Sequence, residues 1–202
     1  MKYIFLLFSI SIFSQNLKTP FERGNGNQST TYEECIAFYE KLDESFANIQ
    51  MIQKGTTDSG KPLHLVFFSS EGKFDFDEYF TKNKAVILIN NGIHAGEPDG
   101  IDATMMLMRD LAMGKIKTAK NTLIAAIPVY SVGGMLNRNS HSRANQNGPE
   151  EYGFRGNARN YDLNRDFIKS DTKNSRSFQK LFTELNPDIF LDNHVSNGAD
   201  YQ

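Results

Sequence analysis

Short apolar runs alternate with helical patterns along most of the chain. Residues 85–89 have the composition of a strand that is buried on both faces, residues 122–128 read as another short buried strand, and residues 188–194 as a third strand. Apolar positions spaced by three and four residues predict helices over 98–113 and 174–185. Strand, helix and strand in this order predict a parallel pair with a right-handed crossover. We therefore expect an α/β fold with a mixed, mostly parallel sheet and helices on both faces.

The first part of the chain predicts a capped helix. Thr30 and Glu33 have the spacing of a capping box, and the apolar stripe that follows predicts a helix to about Ala47. Cys35 lies on that stripe and is the one cysteine in the sequence, so no intramolecular disulfide is possible. We expect Cys35 to be a small buried apolar side chain.

Two strands and a connection are predicted before residue 85. Residues 51–70 read as two strands joined by the turn-forming segment 57–62. His64 lies inside the second of these strands without acidic neighbours, which favours a structural role. Residues 71–83 are charged, with aromatic residues interspersed, and predict a connection over the surface.

The N-terminus has the pattern of an export signal. Met1-Lys2 is followed by an apolar run over 3–13 and then by the small residue Ser14, so residues 1–14 resemble a signal peptide. The run is shorter than the roughly 20 residues that a bilayer-spanning helix needs. A buried N-terminal strand or helix is the alternative. We expect a periplasmic or extracellular protein with no membrane anchor after cleavage, and a polar, flexible mature N-terminus over 15–28.

The charge of the chain does not indicate a polyanionic partner. The formal net charge is -2, and there is no run of like charges. Neither nucleic acid nor an anionic membrane is therefore indicated as a partner. The function has to be inferred from a site.

Candidate metal ligands follow two of the predicted strands. His94 and Glu97 come directly after the strand at 85–89, and His194 ends the run at 188–194. Open α/β sheets bind small molecules and ions at the carboxyl ends of their strands. The side chains of these three residues are expected at that edge. A catalytic zinc ion takes three such protein ligands and keeps a fourth position for water or substrate. The three residues therefore predict a zinc site.

The segment 131–162 has no periodicity and is rich in arginine. Arg138, Arg143, Arg155 and Arg159 could bind a carboxylate through paired hydrogen bonds, although each alone is more commonly a surface residue. His141 lies between two serines in this segment, but the sequence lacks the elbow motif that presents a nucleophilic serine. Serine chemistry is therefore disfavoured.

Three motifs in order resemble one enzyme family. His94-Ala-Gly-Glu97-Pro98, Asp162-Leu-Asn164-Arg165 and a strand ending in His194 are similar to those of zinc carboxypeptidases of the A/B type. The resemblance covers most of the chain. It implies that residues 29–202 are the N-terminal part of a catalytic domain of that fold.

The resemblance also implies a role for each matching residue. His94, Glu97 and His194 would bind one zinc ion per chain, and Asp162 would orient a ligand imidazole. The substrate would be a peptide with a free C-terminal carboxylate, bound by Asn164 and Arg165. Arg155, with Arg159 as the alternative, would stabilise the oxyanion that forms at the scissile carbonyl.

Two departures from the family pattern affect these expectations. Gly96 stands where the animal digestive members carry an arginine, so their subsites are not transferred to this chain. The general-base glutamate of the family lies well downstream of the last histidine ligand, so we expect it beyond Gln202. We therefore expect the 202-residue chain to bind zinc weakly, to hydrolyse little, and to leave an open sheet edge.

Two other functions stay open at this point. The first is a related zinc amidohydrolase or deacylase, which would act on N-acyl amino acids or peptidoglycan peptides. The second is a non-catalytic module that binds carboxylates. Substrate profiling and the residues beyond Gln202 would distinguish them.

Overall fold

A computed structural model of the protein describes residues 17–72, 74 and 84–196. The predicted signal peptide at 1–14 and most of the predicted connection at 71–83 lie outside these ranges. Five strands form one sheet in the order β1-β2-β4-β3-β5. The strands are β1 (Ile49–Thr56), β2 (Pro62–Ser69), β3 (Ala85–Asn90), β4 (Thr122–Ile127) and β5 (Ile189–Asp192).

The sheet is mixed, as the sequence predicted, but the expectation that it is mostly parallel is wrong, because two of the four described strand pairings are antiparallel. β3 pairs in parallel with β4 and with β5, whereas β1–β2 and β2–β4 are antiparallel. Parallel pairing in the described sheet is thus confined to β3 and its two neighbours. The carboxyl ends of β3, β4 and β5 consequently meet at one edge.

Helices cover both faces of the sheet. They are α1 (Pro20–Arg23), α2 (Tyr32–Ser45), α3 (Asp99–Ala112), α4 (Val132–Leu136) and α5 (Lys173–Leu185), with a short 3₁₀ turn at Leu163–Arg165. None of the helices in the described ranges is both long and apolar enough to cross a membrane.

Alternate residues of the strands pack into two separate cores. Ile89 and Ala126 join a cluster with the apolar sides of α2, α3 and α4. Leu88 and Ala125, their neighbours in sequence, join a second cluster with α5 on the other face. Because successive strand side chains point to opposite faces, a strand covered on both sides must be apolar throughout. This explains the unbroken apolar runs.

Two side chains in the first half of the chain, Cys35 and His64, have the environments that the sequence predicted. Cys35 is fully buried on α2, which confirms that expectation. His64 is also buried, within β2, and its burial lowers the pKa of the imidazole. Both environments are those of structural residues.

The predicted start of α2 is wrong by one residue. Thr31, not Thr30, is the N-cap: its hydroxyl accepts from the Glu34 N–H at 3.2 Å, and Glu34 accepts from the Thr31 N–H at 3.0 Å. Two threonines each precede a glutamate by three residues, so local spacing does not distinguish them. The tertiary structure does, because the Thr30 N–H donates to Asp102 on α3 at 3.3 Å and this residue stays outside the helix.

The expectation of a flexible segment at 15–28 is wrong for residues 17–28. Helix α1 has its own capping box, formed by Thr19 and Glu22. Leu17 is 1% exposed, and Arg109 of α3 donates to the Leu17 carbonyl at 3.1 Å and pairs with Glu22. These contacts tie a polar segment to the domain, which composition alone could not indicate.

The β5 side of the sheet is more open than its centre. Ile189, Phe190 and Leu191 are 56%, 38% and 48% exposed. Among the described strands, β5 pairs with β3 only. The expected open edge stays a prediction.

Candidate metal centre

The ends of two neighbouring strands position the candidate ligands. β3 ends at Asn90, and the buried turn that follows carries His94 and Glu97, closed by a Glu97 N–H to His94 carbonyl bond of 2.9 Å. β5 ends at Asp192, two residues before His194. Because Asn90 and Asp192 are partners in the parallel register, residues separated by about a hundred positions emerge side by side.

The structure brings the three predicted ligands together. Donor atoms of His94, Glu97 and His194 all lie within 4.8 Å of one another. His94 Nδ1 is 3.2 Å from Glu97 Oε1, and His194 Nδ1 is 3.4 Å from Glu97 Oε2. Each imidazole therefore presents the same ring nitrogen to the shared carboxylate.

Carboxylates also hold the opposite nitrogen of each ring. His94 Nε2 is 3.0 Å from Asp162 Oδ1, and His194 Nε2 is 3.0 Å from Asp192 Oδ2. Asp162 thus lies where the family resemblance implied. Asp192 was not anticipated, although residues two apart at the end of a strand share a face, and that spacing is the signal that could have identified it.

This donor set fits a zinc ion. A neutral imidazole has one N–H, and donation from Nε2 leaves the Nδ1 lone pair facing a carboxylate oxygen of Glu97. Either a second proton on the ring or a cation between the two atoms makes this contact favourable. A metal ion held by His94, Glu97 and His194 would satisfy all three groups, and two histidines with one carboxylate are a known catalytic zinc set.

Glu97 is held in its ionised form. The side chain is 4% exposed, and burial by itself would raise its pKa. The interaction with His94, the hydrogen bond from the Val195 N–H at 2.8 Å and the charge of Arg143 outweigh burial and lower the pKa to about 2. A buried carboxylate with so low a pKa is ready to bind a cation.

Arg143 is a residue of the site that the motifs did not single out. Its Nη1 lies 3.0 Å from Glu97 Oε1, and its Nε donates to Gln146 at 2.8 Å. The side chain passes over Gly96, where an added Cβ would lie 2.9 Å from Arg143 Cδ and 2.7 Å from the Gly153 carbonyl. Gly96 therefore leaves the room that Arg143 occupies.

Of the other arginines in this segment, Arg155 reaches the cluster. Its Nη2 donates to Asp162 Oδ2 at 2.9 Å, and its Nη1 lies 3.5 Å from His94 Nδ1. Arg159 instead lies over the Tyr161 ring, 3.9 Å from Asp58. Arg138 donates to the carbonyls of residues 29, 30 and 151 and so braces the N-terminal segment.

Asn164 and Arg165 lie next to the cluster on the 3₁₀ turn. The Asn164 N–H donates to Asp162 Oδ1 at 3.0 Å, so the same carboxylate contacts the turn and His94. Arg165 is exposed, and its Nη1 donates to the Asn164 carbonyl at 3.0 Å. An exposed guanidinium beside the centre is available to an anion, and the substrate role of both residues stays a prediction.

Comparison with known proteins places these features in a family. The sequence profile described as zinc carboxypeptidase matches residues 35–189. Carboxypeptidase 2 of Trichophyton rubrum is 27% identical over 175 residues, which is 84% of this chain and 29% of that protein. Carboxypeptidase 2 of Trichophyton equinum is 28% identical over 117 residues, which is 56% of this chain and 19% of that protein. The chain thus spans less than a third of the length of these curated relatives.

Solved structures show the same fold. A metallo-carboxypeptidase from Burkholderia cenocepacia superposes with a TM-score of 0.62 at 15% identity, over 86% of this chain and 43% of that one. Carboxypeptidase A from Helicoverpa armigera gives a TM-score of 0.57 at 16% identity, over 82% of this chain and 46% of that one. At such identities the likeness establishes the fold.

Proposed function

The chain belongs to the zinc carboxypeptidase family, and from that premise we propose that it is a zinc metallocarboxypeptidase that hydrolyses the C-terminal peptide bond of peptides. One observation supports the proposal above the others. Two imidazoles from separate strands direct Nδ1 at one buried carboxylate, and their Nε2 atoms are held by Asp162 and Asp192. A catalytic zinc site needs this preorganisation.

The chemistry divides between the metal and the chain. Bound zinc would lower the pKa of a water molecule and polarise the scissile carbonyl. His94, Glu97 and His194 would hold the ion and would leave one coordination position for the reaction. Asp162 holds the His94 ring in the orientation that binding requires.

Arginines supply the contacts to substrate in this proposal. Arg165, with Asn164, binds the terminal carboxylate and so restricts cleavage to the last peptide bond. Arg155 lies beside His94 and Glu97 and stabilises the negative charge that develops on the carbonyl oxygen. Arg159 is the less suitable alternative because it is directed to Asp58 and Tyr161.

We assign neither carboxylate that bonds a ligand imidazole as the general base. Asp162 and Asp192 are both engaged in hydrogen bonds to the rings. The base is instead proposed to be a glutamate beyond Gln202. Export to the periplasm or the cell exterior, directed by residues 1–14, is part of the same proposal.

Zinc analysis of the purified chain tests the metal centre. Elemental analysis after equilibrium dialysis against a zinc-containing buffer is expected to give close to one zinc per chain above the buffer level, and His194→Ala is expected to lose it. A folded wild-type chain that retains no zinc would contradict the proposal.

Peptide digestion followed by mass spectrometry tests the reaction. Stepwise release of C-terminal residues, sensitive to a chelator, is the expected activity of the longer polypeptide. Release of an acyl group instead would indicate the deacylase. Zinc binding without hydrolysis by that longer polypeptide would indicate a non-catalytic module.

A further inference from the structure

We infer that Asp192 is a positioning residue for His194, that Asn90 at the end of β3 anchors Asp192, and that Asn91 anchors the neighbouring Asn193. The inference concerns the metal centre on which the proposed function rests. It assigns a role to Asp192, the last residue of β5, which is not one of the motif residues described above.

Asp192 joins the sheet to the ligand ring. Its Oδ2 lies 3.0 Å from His194 Nε2, and its Oδ1 accepts from Asn90 Nδ2 at 2.9 Å. One carboxylate therefore uses one oxygen to hold the ring and the other to anchor itself to the central strand. The pairing of Asn90 with Asp192 in the parallel register makes the second bond possible.

Asn90 is placed to serve this contact. Its side chain is fully buried, and its Oδ1 has no hydrogen-bond partner within the described part of the chain. Because the side chain is buried, the bond from its Nδ2 to Asp192 Oδ1 is shielded from water. This bond therefore fixes one oxygen of the carboxylate to the central strand.

A second asparagine pair strengthens the junction. Asn193 donates to Asn91 Oδ1 at 2.7 Å, and its N–H donates to the Asn90 carbonyl at 3.0 Å. Asn91 is itself held by Thr104 at 3.1 Å. A Cβ at Gly100 would lie 2.4 Å from the Asn193 Cβ, so glycine allows this close approach. The two residues before His194 are both fixed to the end of β3.

His194 needs such support more than His94 does. Its side chain is 34% exposed, compared with 3% for His94. Among the described residues, packing on the His194 ring comes mainly from an edge-on contact with the His94 ring at a centroid distance of 5.1 Å. A charge-assisted hydrogen bond at Nε2 supplies the orientation that packing supplies elsewhere.

Two variants and a matched control test this role. Asp192→Ala removes the acceptor, and Asn90→Ala removes its anchor. Asp188→Ala is the control: this carboxylate begins the same segment and accepts from the β3 residue Val86 at 2.7 Å, but it lies at the other end of the strand pair. Urea unfolding reports whether each variant is folded.

The first readout needs no metal. In the metal-free wild-type chain we expect a slowly exchanging, downfield proton on His194 Nε2 in the NMR spectrum, assigned by its loss in His194→Ala. Asp192→Ala should lose this signal, Asn90→Ala should broaden it, and Asp188→Ala should retain it. An unchanged signal in folded Asp192→Ala, or in Asn90→Ala if the first variant does not fold, would overturn the inference.

The second readout is zinc affinity by competition with a chelating dye. Asp192→Ala should weaken binding about 10- to 100-fold, as is typical when the partner of a ligand histidine is lost, and Asp188→Ala less than about twofold. Equal losses in the two variants would mean a general structural effect and would overturn the inference. If the wild type binds no zinc, the proposed metal centre fails, and the NMR result still decides the role of Asp192.

Discussion

The two halves of the candidate metal centre rest on very different scaffolds. His94 and Glu97 have side chains that are 3% and 4% exposed and follow β3, the central strand of the parallel segment. His194 is 34% exposed and follows β5, whose apolar side chains are also open. The first half is held by core packing, and the second by polar bonds to its neighbour.

This difference shows that one ligand set can be preorganised by two kinds of interaction. Close packing around β3 leaves the turn at 91–98 few alternative conformations. At β5 the same precision depends on a few hydrogen bonds, which are individually weaker but directional. The halves should therefore respond differently to the same perturbation.

The largest contrast is expected in stability. Leu88 on β3 is fully buried, whereas Leu191 on β5 is 48% exposed. Leu88→Ala should lower the free energy of unfolding by about 2–5 kcal/mol, because it leaves a cavity in a packed core. Leu191→Ala should cost less than about 1 kcal/mol. Urea denaturation of the metal-free chains measures both, and equal losses would refute the distinction between the scaffolds.

The free energy of unfolding should also vary with pH, because α3 carries a buried carboxyl group. Burial of Asp102 on α3 raises the pKa of this carboxyl to about 7, although the hydrogen bond from the Thr30 N–H opposes the rise. A pKa raised in the folded state favours folding at low pH. The contribution is present below about pH 4 and is lost as pH rises toward 7, at up to about 1.4 kcal/mol per pH unit.

Asp102→Asn separates this effect from other titrations. Asparagine keeps an oxygen to accept from Thr30 but does not ionise. Chemical denaturation between pH 4 and pH 8 should show a flatter profile for the variant than for the wild type. Parallel profiles would mean that Asp102 does not control stability in this range.

Zinc affinity should show how much Asp162 supports His94, which belongs to the buried half of the centre. Asp162→Asn keeps the shape of the side chain but removes the charge that holds His94 Nε2. We expect about tenfold weaker zinc binding, at the low end of the range typical for loss of a ligand's partner, because packing also holds the ring; competition with a chelating dye measures it. A loss much smaller than that of Asp192→Ala would show that packing alone orients His94 and would sharpen the contrast between the halves.

The smallest effect is expected from Arg143. Its guanidinium lies 3.0 Å from Glu97 Oε1, close to where a cation would bind. Arg143→Met should tighten zinc binding by about two- to fivefold, because it removes a like charge near the ion. Arg159→Met is the control and should leave the affinity unchanged. Weaker binding by the Arg143 variant would mean that the arginine orients Glu97 more than it repels the metal.

The local sequence pattern was sufficient to predict most of the helices and strands. Unbroken apolar runs identified β3, β4 and β5, and spacing of three and four residues identified α2, α3 and α5, within one or two residues at most ends. The candidate ligands were also predictable, because their side chains directly follow the carboxyl ends of two predicted strands, where α/β sheets bind their ligands. Such features depend on neighbours in sequence.

Features that depend on distant neighbours were decided by the tertiary structure. The cap at Thr31 depends on Asp102, the attachment of residues 17–28 depends on Arg109, and the position of Arg143 depends on the missing side chain of Gly96. Asp192 looks like an ordinary strand residue until the β3–β5 register places it beside Asn90. Sequence determines which groups each segment carries, but register and packing determine which of them meet, because those contacts join residues far apart in the chain.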